Sequence, residues 1–383
     1  MDPETFLDHC SQSGFQFFSG TPCSYLKPLI NVAIDDPEIQ LVDATNEGDA
    51  VAMTAGAYVA GKKGVVMFQN SGLGNAVNAL TSLCWPFRIP MLMIVTHRAQ
   101  PGGVPDEPQH ELMGQITTNL LEMMNIRWES FPQSESELTE LFARIQAHMD
   151  AKDLPFALVL PTGVLQPKSL KKPMKGQPIG LRQSSFEECL TRNYSERATR
   201  TDALKVLLKH RTSSDVLIAT TGFTGRELFT LEDVDQHFYM VGSMGSASSF
   251  SLGVSLHQPN RRVITIDGDG AALMRMGNMA SIGAYKPSNY VHLLLDNEAH
   301  DSTGGQQTVS GGVSFAAIAK GCGYAQVYSS DDLKDLAQWL AESGCSGPTF
   351  IHFRTKKGTP PNLPRPSVKP VQVKERFMKF LKS

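Results

Sequence analysis

The sequence predicts an α/β protein with two mainly parallel sheets, each covered by helices on both faces. Two observations lead there. Apolar runs of strand length alternate with helix-period patterns along almost the whole chain, and that alternation builds parallel sheets. It lapses around residues 166–197, where Lys168, Lys171, Lys172 and Lys175 interleave with Pro167, Pro173 and Pro178. Such a stretch reads as an inter-domain linker. The 383 residues suffice for two domains with separate cores. The expected division is 1–165, a linker at 166–197, and 198–383 with an extended C-terminal tail.

In the first half, helices are expected over residues 3–10, 24–34 and 49–60, and strands over 15–18, 40–42, 64–68 and 90–95. The segment 49–60 is rich in Ala and Gly and suits close packing. After residue 68, the turn Gln69-Asn70-Ser71-Gly72-Leu73-Gly74 opens a helix through Leu83. Residues 97–115 are polar and rich in Pro and Gly, which marks a loop at a strand end, where functional loops sit. Helices over 116–124 and 135–151 follow, and a strand over 156–160 is expected to close the sheet. The second half repeats the order, with strands expected over 216–220, 237–241, 262–266, 290–295, 325–328 and 349–353. Helices are expected over 200–209, 225–231, 246–256, around 315–320, over 331–342 and at 374–381. One more begins at Gly270, with Leu273, Met276, Met279 and Ile282 at three-residue spacing.

Composition narrows the function classes. Hydrophobic residues at 41% and charged residues at 19% fit a globular chain rather than a disordered one. A net charge of -3 supplies no basic field for nucleic acid or a membrane surface. No apolar run reaches transmembrane length. The acidic, amphipathic start MDPETFLDHC does not read as a signal peptide, so a cytoplasmic location is expected. Cys10, Cys23, Cys84, Cys189, Cys322 and Cys345 are scattered without a CxxC pair. Free thiols are therefore expected rather than a zinc or iron–sulfur site.

The chemistry concentrates in residues 266–310. The strand 262–266 runs into Asp267-Gly268-Asp269-Gly270, where two glycines allow a tight turn. The strand 290–295 runs into Asp296-Asn297. A strand–helix–strand unit brings both ends to one edge of a parallel sheet, where open α/β sheets bind ligands. A carboxylate and an amide oxygen are hard ligands suited to Mg²⁺ that also holds a diphosphate. The helix after Gly270 offers free N–H groups to the same anion. The blander reading is a capping Asp and a strand-end Asn.

Other candidates lie at strand ends. Glu47 follows an apolar strand and precedes the Ala/Gly-rich helix, which suggests a poorly hydrated carboxylate. Alone it reads equally as a helix N-terminal Glu favoured by the dipole. Gly222-Phe223-Thr224-Gly225 suits a diphosphate loop through N–H groups and the Thr224 hydroxyl. His97 and Arg98 suit an anionic substrate. His110 with Gln115, and His300 with Thr303 in the polar run after Asn297, could position a substrate or move a proton. Gly72-Leu73-Gly74 lacks the third glycine of a dinucleotide fingerprint, since position 77 is Val77, and Gly268-Asp269-Gly270 fails likewise at Leu273.

GDG followed after 26 residues by Asn resembles the cofactor motif of thiamine-diphosphate enzymes. The resemblance implies that Asp269, Asn297 and the Ala299 carbonyl hold Mg²⁺. DATNEGDAVAMTAGAY resembles the family's pyrimidine-binding segment, with Glu47 placed to act on the pyrimidine nitrogen N1′. The QNSGLGN turn resembles a cleft-lining turn, and Gly242-Ser243-Met244-Gly245 resembles the loop whose apolar residue props the cofactor. The implied cofactor contacts are Asn70, Gly72, Thr224, Gly242, Ser243, Met244, Gly268, Asp269, Gly270, Ala271 and Asn297. Residues 1–165 would then be the pyrimidine-binding domain and 198–383 the diphosphate-binding domain.

Together with GTPCSYLKPLI, HRAQPGGVPDEPQHELMG, MGSASSFSLGVSL and LLLDNEAHDSTGGQQTVS, the chain resembles the phosphonopyruvate decarboxylases, a family of 2-oxo acid decarboxylases. That implies thiamine diphosphate and Mg²⁺, and conversion of 3-phosphonopyruvate to phosphonoacetaldehyde and CO₂ in phosphonate biosynthesis. It also implies an active site shared between subunits of a homo-oligomer, at least a dimer. Catalytic roles fall to Glu47, His110, His300 and Thr303, and contacts to the small anionic substrate to Ser24, His97, Arg98 and Gln115. In the related sulfopyruvate decarboxylases the two domains are usually separate subunits, so the fused chain favours phosphonopyruvate. Sulfopyruvate or another 2-oxo acid remains an alternative. So, from another class, does a non-catalytic nucleotide-binding protein using Gly-rich turns.

Overall fold

The computed structural model describes residues 1–171, 185–189, 193–343 and 346–383. The chain divides into two compact units, Met1–Pro178 and Ile179–Ser383. Most of the linker expected at 166–197, including Lys172 and Lys175, lies outside the described residues. Lys168 forms ion pairs with Asp2 and Glu4, and Lys171 with Glu4.

The first unit contains β1 (Phe15–Gly20), β2 (Gln40–Asp43), β3 (Lys63–Phe68), β4 (Leu92–Thr96), β5 (Arg127–Ser130) and β6 (Phe156–Leu160), in the order β2-β1-β3-β4-β6-β5. Every pairing is parallel. All residues of β4 and β6 are buried, as expected when helices cover both faces. The helix Glu47–Val59 packs on β1 and β3, and its run of Gly and Ala lets it sink until nearly all of it is buried. Strand β6 does not close the sheet. That edge belongs to β5, which the sequence reading missed. Its Arg127 and Glu129 pair with each other, and Glu129 also pairs with Arg144. Charge on an edge strand blocks further pairing and hides the hydrophobic alternation.

The second unit contains β7 (Ser185–Cys189), β8 (Val216–Ala219), β9 (His237–Tyr239), β10 (Val263–Gly268), β11 (Tyr290–Asp296), β12 (Ala299–His300), β13 (Gln306–Gln307), β14 (Gln326–Ser330) and β15 (Thr349–Arg354). Seven of these form a parallel sheet ordered β7-β14-β15-β11-β10-β8-β9, and β12 with β13 makes a small antiparallel hairpin. The single helix expected after Gly270 is two, Asp269–Met274 and Asn278–Tyr285, separated by Arg275-Met276-Gly277. Gly277 is a weak helix former at that break.

Both sheets reverse their order of growth. The first steps from β1 out to β2, then across to β3. The second steps from β8 out to β9, then across to β10. At each reversal the connections leave in opposite directions and open a crevice at the carboxyl edge. No helix among the described residues is long and apolar enough to cross a membrane.

Candidate active site

In the second unit, the crevice between β8 and β10 becomes a pocket. It is lined by Gly222, Phe223 and Thr224 after β8, Gly268–Ala271 after β10, and Asn297, Ala299 and His300 after β11, with Met244 at one side. Helix Phe223–Leu231 points its N-terminus into it, with Gly222 as cap at φ 99°. An L side chain is strained there, so the turn presents bare backbone. Ser243, at φ 51°, is buried with its hydroxyl 2.7 Å from that of Ser246.

Asp269 is 3% exposed and Asn297 4%. The Thr308 hydroxyl donates to Asp269. Burial raises the Asp269 carboxyl above its ordinary pKa, with the Thr308 bond opposing and the charge of nearby Asp296 reinforcing. Asn297 Nδ2 donates to Asp301 Oδ2 at 2.7 Å, and its Oδ1 accepts from the Ala299 N–H at 3.1 Å. These bonds orient the amide. Arg200 anchors Asp301 at 3.4 Å and Glu227 at 2.7 Å. Among the described residues no group of three His, Cys, Asp or Glu side chains forms a metal cluster. A cation at Asp269 would therefore draw on an amide or backbone oxygen as well. Gly270 lies so close to His300 that a Cβ there would fall 2.6 Å from His300 Cε1 and 3.1 Å from Met244 Cε.

In the first unit, the reversal places Thr21 after β1, Glu47 after β2 and Asn70 after β3. Glu47 is only partly buried within this chain, so the expected poor hydration is not met by the chain alone. Thr21 Oγ1 donates to its Oε1 at 3.0 Å and Asn75 Nδ2 to its Oε2 at 2.8 Å. A Cβ on Gly72 would fall 2.5 Å from Glu47 Cγ. Asn70 is buried, with Nδ2 donating to Thr117 Oγ1 at 3.0 Å and the Arg98 carbonyl at 3.1 Å, while Oδ1 has no partner. His110 is also buried, with Nδ1 unpartnered.

The remaining candidates are less convergent. Arg98 is committed to Asp106, with Nε donating to Oδ2 at 2.8 Å, and it stacks over Tyr25. The Asp106 pair raises the Arg98 pKa and lowers that of Asp106. His97 is buried with Nε2 2.8 Å from the Gly114 carbonyl oxygen. Both therefore hold their own loop rather than standing open to a substrate. Helix Glu111–Met123 starts inside the expected loop, so Gln115 is helical and exposed. Ser24 is exposed, as is Thr303, whose hydroxyl bonds within its own turn. Sequence reasoning missed Thr21, Asn75, Thr308 and Ser310. All four lie inside quoted segments, Thr21 in GTPCSYLKPLI, Asn75 in QNSGLGN, and Thr308 and Ser310 in QQTVS, but no pattern singled them out. Cys10, Cys23, Cys84 and Cys322 are free, and the side chains of Cys189 and Cys345 lie outside the described residues.

Residues 4–120 match the family described as thiamine pyrophosphate enzyme, N-terminal TPP binding domain, and residues 223–353 match its C-terminal TPP binding domain. A phosphonopyruvate decarboxylase of Streptomyces viridochromogenes is 44% identical over 96% of this chain and 92% of its own. The chain belongs to the phosphonopyruvate decarboxylase family of thiamine pyrophosphate enzymes. A sulfopyruvate decarboxylase of Methanosarcina acetivorans is 29% identical over 99% of this chain and 97% of its own. Fusion of the two halves therefore does not separate the two families, which corrects the weight placed on it above. The crystal structure of benzoylformate decarboxylase from Polynucleobacter necessarius shares the fold, with a TM-score of 0.74 at 14% identity, covering 94% of this chain and 99% of that one.

Proposed function

We propose that this protein is a thiamine-diphosphate- and Mg²⁺-dependent carboxy-lyase that converts 3-phosphonopyruvate to phosphonoacetaldehyde and CO₂, a step in phosphonate biosynthesis. The observation that carries the reading is the pocket gathering Asp269, Asn297 and the Gly222 turn at the sheet reversal. Its chemistry fits the cofactor. Bare N–H groups at a helix start suit a diphosphate, and the buried Asp269 beside Asp296 favours a cation for charge balance. The substrate assignment rests on the whole-chain likeness to a phosphonopyruvate decarboxylase.

Residues 222–224 would bind the diphosphate, with Thr224 adding its hydroxyl. Asp269, Asn297 Oδ1 and the Ala299 carbonyl would hold the cation, with the Asn297 amide oriented by the bond from its Nδ2 to Asp301. Met244 would support the middle of the cofactor. Glu47 would exchange a proton at the pyrimidine nitrogen, oriented by Thr21 and Asn75. When bound, the cofactor supplies the carbon nucleophile and electron sink for loss of CO₂. His300, packed on Gly270 and Met244, is placed to orient a substrate oxygen or deliver a proton. Because Glu47 is partly open in the single chain, we assign the active form to at least a dimer, in which a second copy covers it.

The test is turnover with each oxo acid under saturating cofactor. Phosphonoacetaldehyde should form from phosphonopyruvate, stop on EDTA addition and resume with Mg²⁺. Sulfopyruvate, which carries less charge on its acidic end, should show at least about tenfold lower kcat/KM. Faster turnover of sulfopyruvate would transfer the assignment to that substrate.

A further inference from the structure

Beside the cofactor pocket, toward the β9 edge of the second sheet, lies another cavity of about 490 Å³. That volume is within the roughly 300–1,000 Å³ of small-molecule sites. The cavity shares Thr221, Gly222 and Ser302 with the cofactor pocket, so the two meet along one wall. It is lined by the carboxyl end of β9, by Arg226 of helix Phe223–Leu231, and by Arg365 of the C-terminal tail. The tail is anchored on both sides of Arg365. Before it, the Lys356 N–H donates to the Ala198 carbonyl at 3.0 Å and the Gly358 N–H to Asp301 Oδ2 at 3.3 Å. After it, helix Pro370–Lys382 packs Phe377 against Phe238 of β9, with ring centroids 5.5 Å apart. Four prolines between residues 360 and 366 keep the intervening chain extended.

The charge in this cavity is unbalanced. No aspartate or glutamate lines it, and neither Arg226 nor Arg365 has a carboxylate partner among the described residues. Arg226 rests over the Phe223 ring, 5.4 Å from Cζ to the centroid. The other arginines near the two crevices are committed. Arg200, which lines the cofactor pocket, is held by Glu227 and Asp301. Arg376, over the Tyr239 ring, is held by Asp233, and Arg98 of the first unit by Asp106. A dianion entering the cofactor pocket therefore meets no uncommitted guanidinium among its lining residues, whereas the adjoining cavity offers two.

We infer that Arg226 and Arg365 form a capture site for the phosphonate dianion of the substrate, in the cavity that adjoins the cofactor pocket. This rests on the proposed reaction of phosphonopyruvate. A guanidinium fork meets tetrahedral phosphorus oxygens with paired, charge-assisted N–H bonds, which are stronger than neutral ones. Ser302 adds a hydroxyl on the shared wall, where a Cβ on Gly222 would stand 3.6 Å from its Oγ. Val241, 49% exposed, offers the short carbon chain an apolar surface. Two unpaired cations in one concave site concentrate an anionic substrate next to the place where it reacts. They act on binding and not on the loss of CO₂.

The experiment uses the full chain saturated with thiamine diphosphate and Mg²⁺, so that the cofactor's own anion site is filled, and methylphosphonate as the probe. Calorimetric titration should show the probe binding, and kinetics should show it competing with phosphonopyruvate. Arg226→Gln and Arg365→Gln should each weaken probe binding about tenfold, the usual loss for a charged hydrogen bond. Each should raise KM for phosphonopyruvate by a similar factor and leave kcat within about twofold. Arg226→Lys keeps the charge but not the fork, and should lose only about threefold. Probe binding that neither glutamine variant changes overturns the site. Weakened probe binding with an unchanged KM overturns the capture role and leaves a site for free phosphate. If phosphonopyruvate is not turned over at all while the probe still binds through both arginines, the proposed reaction fails and the capture role with it, but the anion site stands. Arg365 is exposed on the tail, so its variant carries the test should Arg226→Gln not fold.

Discussion

Glu47 and Asp269 both stand just past the carboxyl edge of a parallel sheet beside the point where the strand order reverses, Glu47 after the strand on the outer side and Asp269 after the strand across from it. Their surroundings differ. Asp269 is buried and its hydroxyl, carboxylate and backbone neighbours all belong to its own unit. Glu47 is partly open and held by two neutral donors, Thr21 and Asn75. A carboxylate that must bind a cation benefits from a rigid, finished setting before the ion arrives. One that must exchange a proton with a ring nitrogen needs a free oxygen and a low-polarity partner brought against it. The proposed cation ligand is thus enclosed by its own unit, while the proposed proton-exchanging carboxylate is partly open in the single chain.

The largest expected effect breaks or confirms that division. Glu47→Gln should lower turnover by about 10³-fold while cofactor binding stays within about tenfold. Asp269→Ala should do the reverse in kind, abolishing Mg²⁺-dependent cofactor binding at ordinary concentrations. Steady-state kinetics paired with calorimetric titration reads both. Loss of cofactor binding in Glu47→Gln would erase the distinction between the two carboxylates.

A smaller effect sharpens it. Gly72 and Gly270 play matching parts, each leaving room for a side chain that a Cβ would strike, Glu47 in one case and His300 with Met244 in the other. Gly72→Ala should cost kcat about tenfold with little change in cofactor affinity, and Gly270→Ala should cost affinity about tenfold, because misplacement by about an ångström is enough for such losses. If both variants lost the same parameter, the two crevices would share one role.

The smallest effect concerns stability. His237 on β9 is fully buried, and burial, with Arg211 adding, depresses its pKa from 6.5 to about 4, against Glu232 and Asp233, which raise it. The folded state thus keeps it neutral while the unfolded chain takes up a proton. Its contribution is present above pH 6.5 and is lost as pH falls toward about 4. Thermal unfolding should show a falling Tm through that window, and His237→Gln should flatten the slope. An unchanged slope would place the acid sensitivity elsewhere, as in His148 of the first unit, which burial also lowers.

Much of this was readable from local pattern. Strand-then-turn segments such as residues 262–270 and 290–297 place a polar residue at a sheet edge whatever the rest of the chain does. The Gly222 turn, the GDG turn and the long polar run after Asn297 do line one pocket. What failed was how loops fold back and where an edge strand lies. Arg98 read as an open cation because its strand-end position says nothing of Asp106, whose loop folds back onto it. Strand β5 was missed because its charges suit an edge and resemble a loop.

Turn, spacing and hydrophobic period act within one strand–helix–strand unit, and they dictate which chemical groups reach each sheet edge and in what order. How those groups are held follows from the packed unit. Thr308 reaches Asp269, Asp301 turns the Asn297 amide, Asp106 takes up Arg98, and Glu47 remains partly open. The Thr308–Asp269 contact joins segments 39 positions apart, and the two nearer contacts, Asp301 with Asn297 and Asp106 with Arg98, depend on how their loops fold back, which the packing of the whole unit sets rather than any spacing rule.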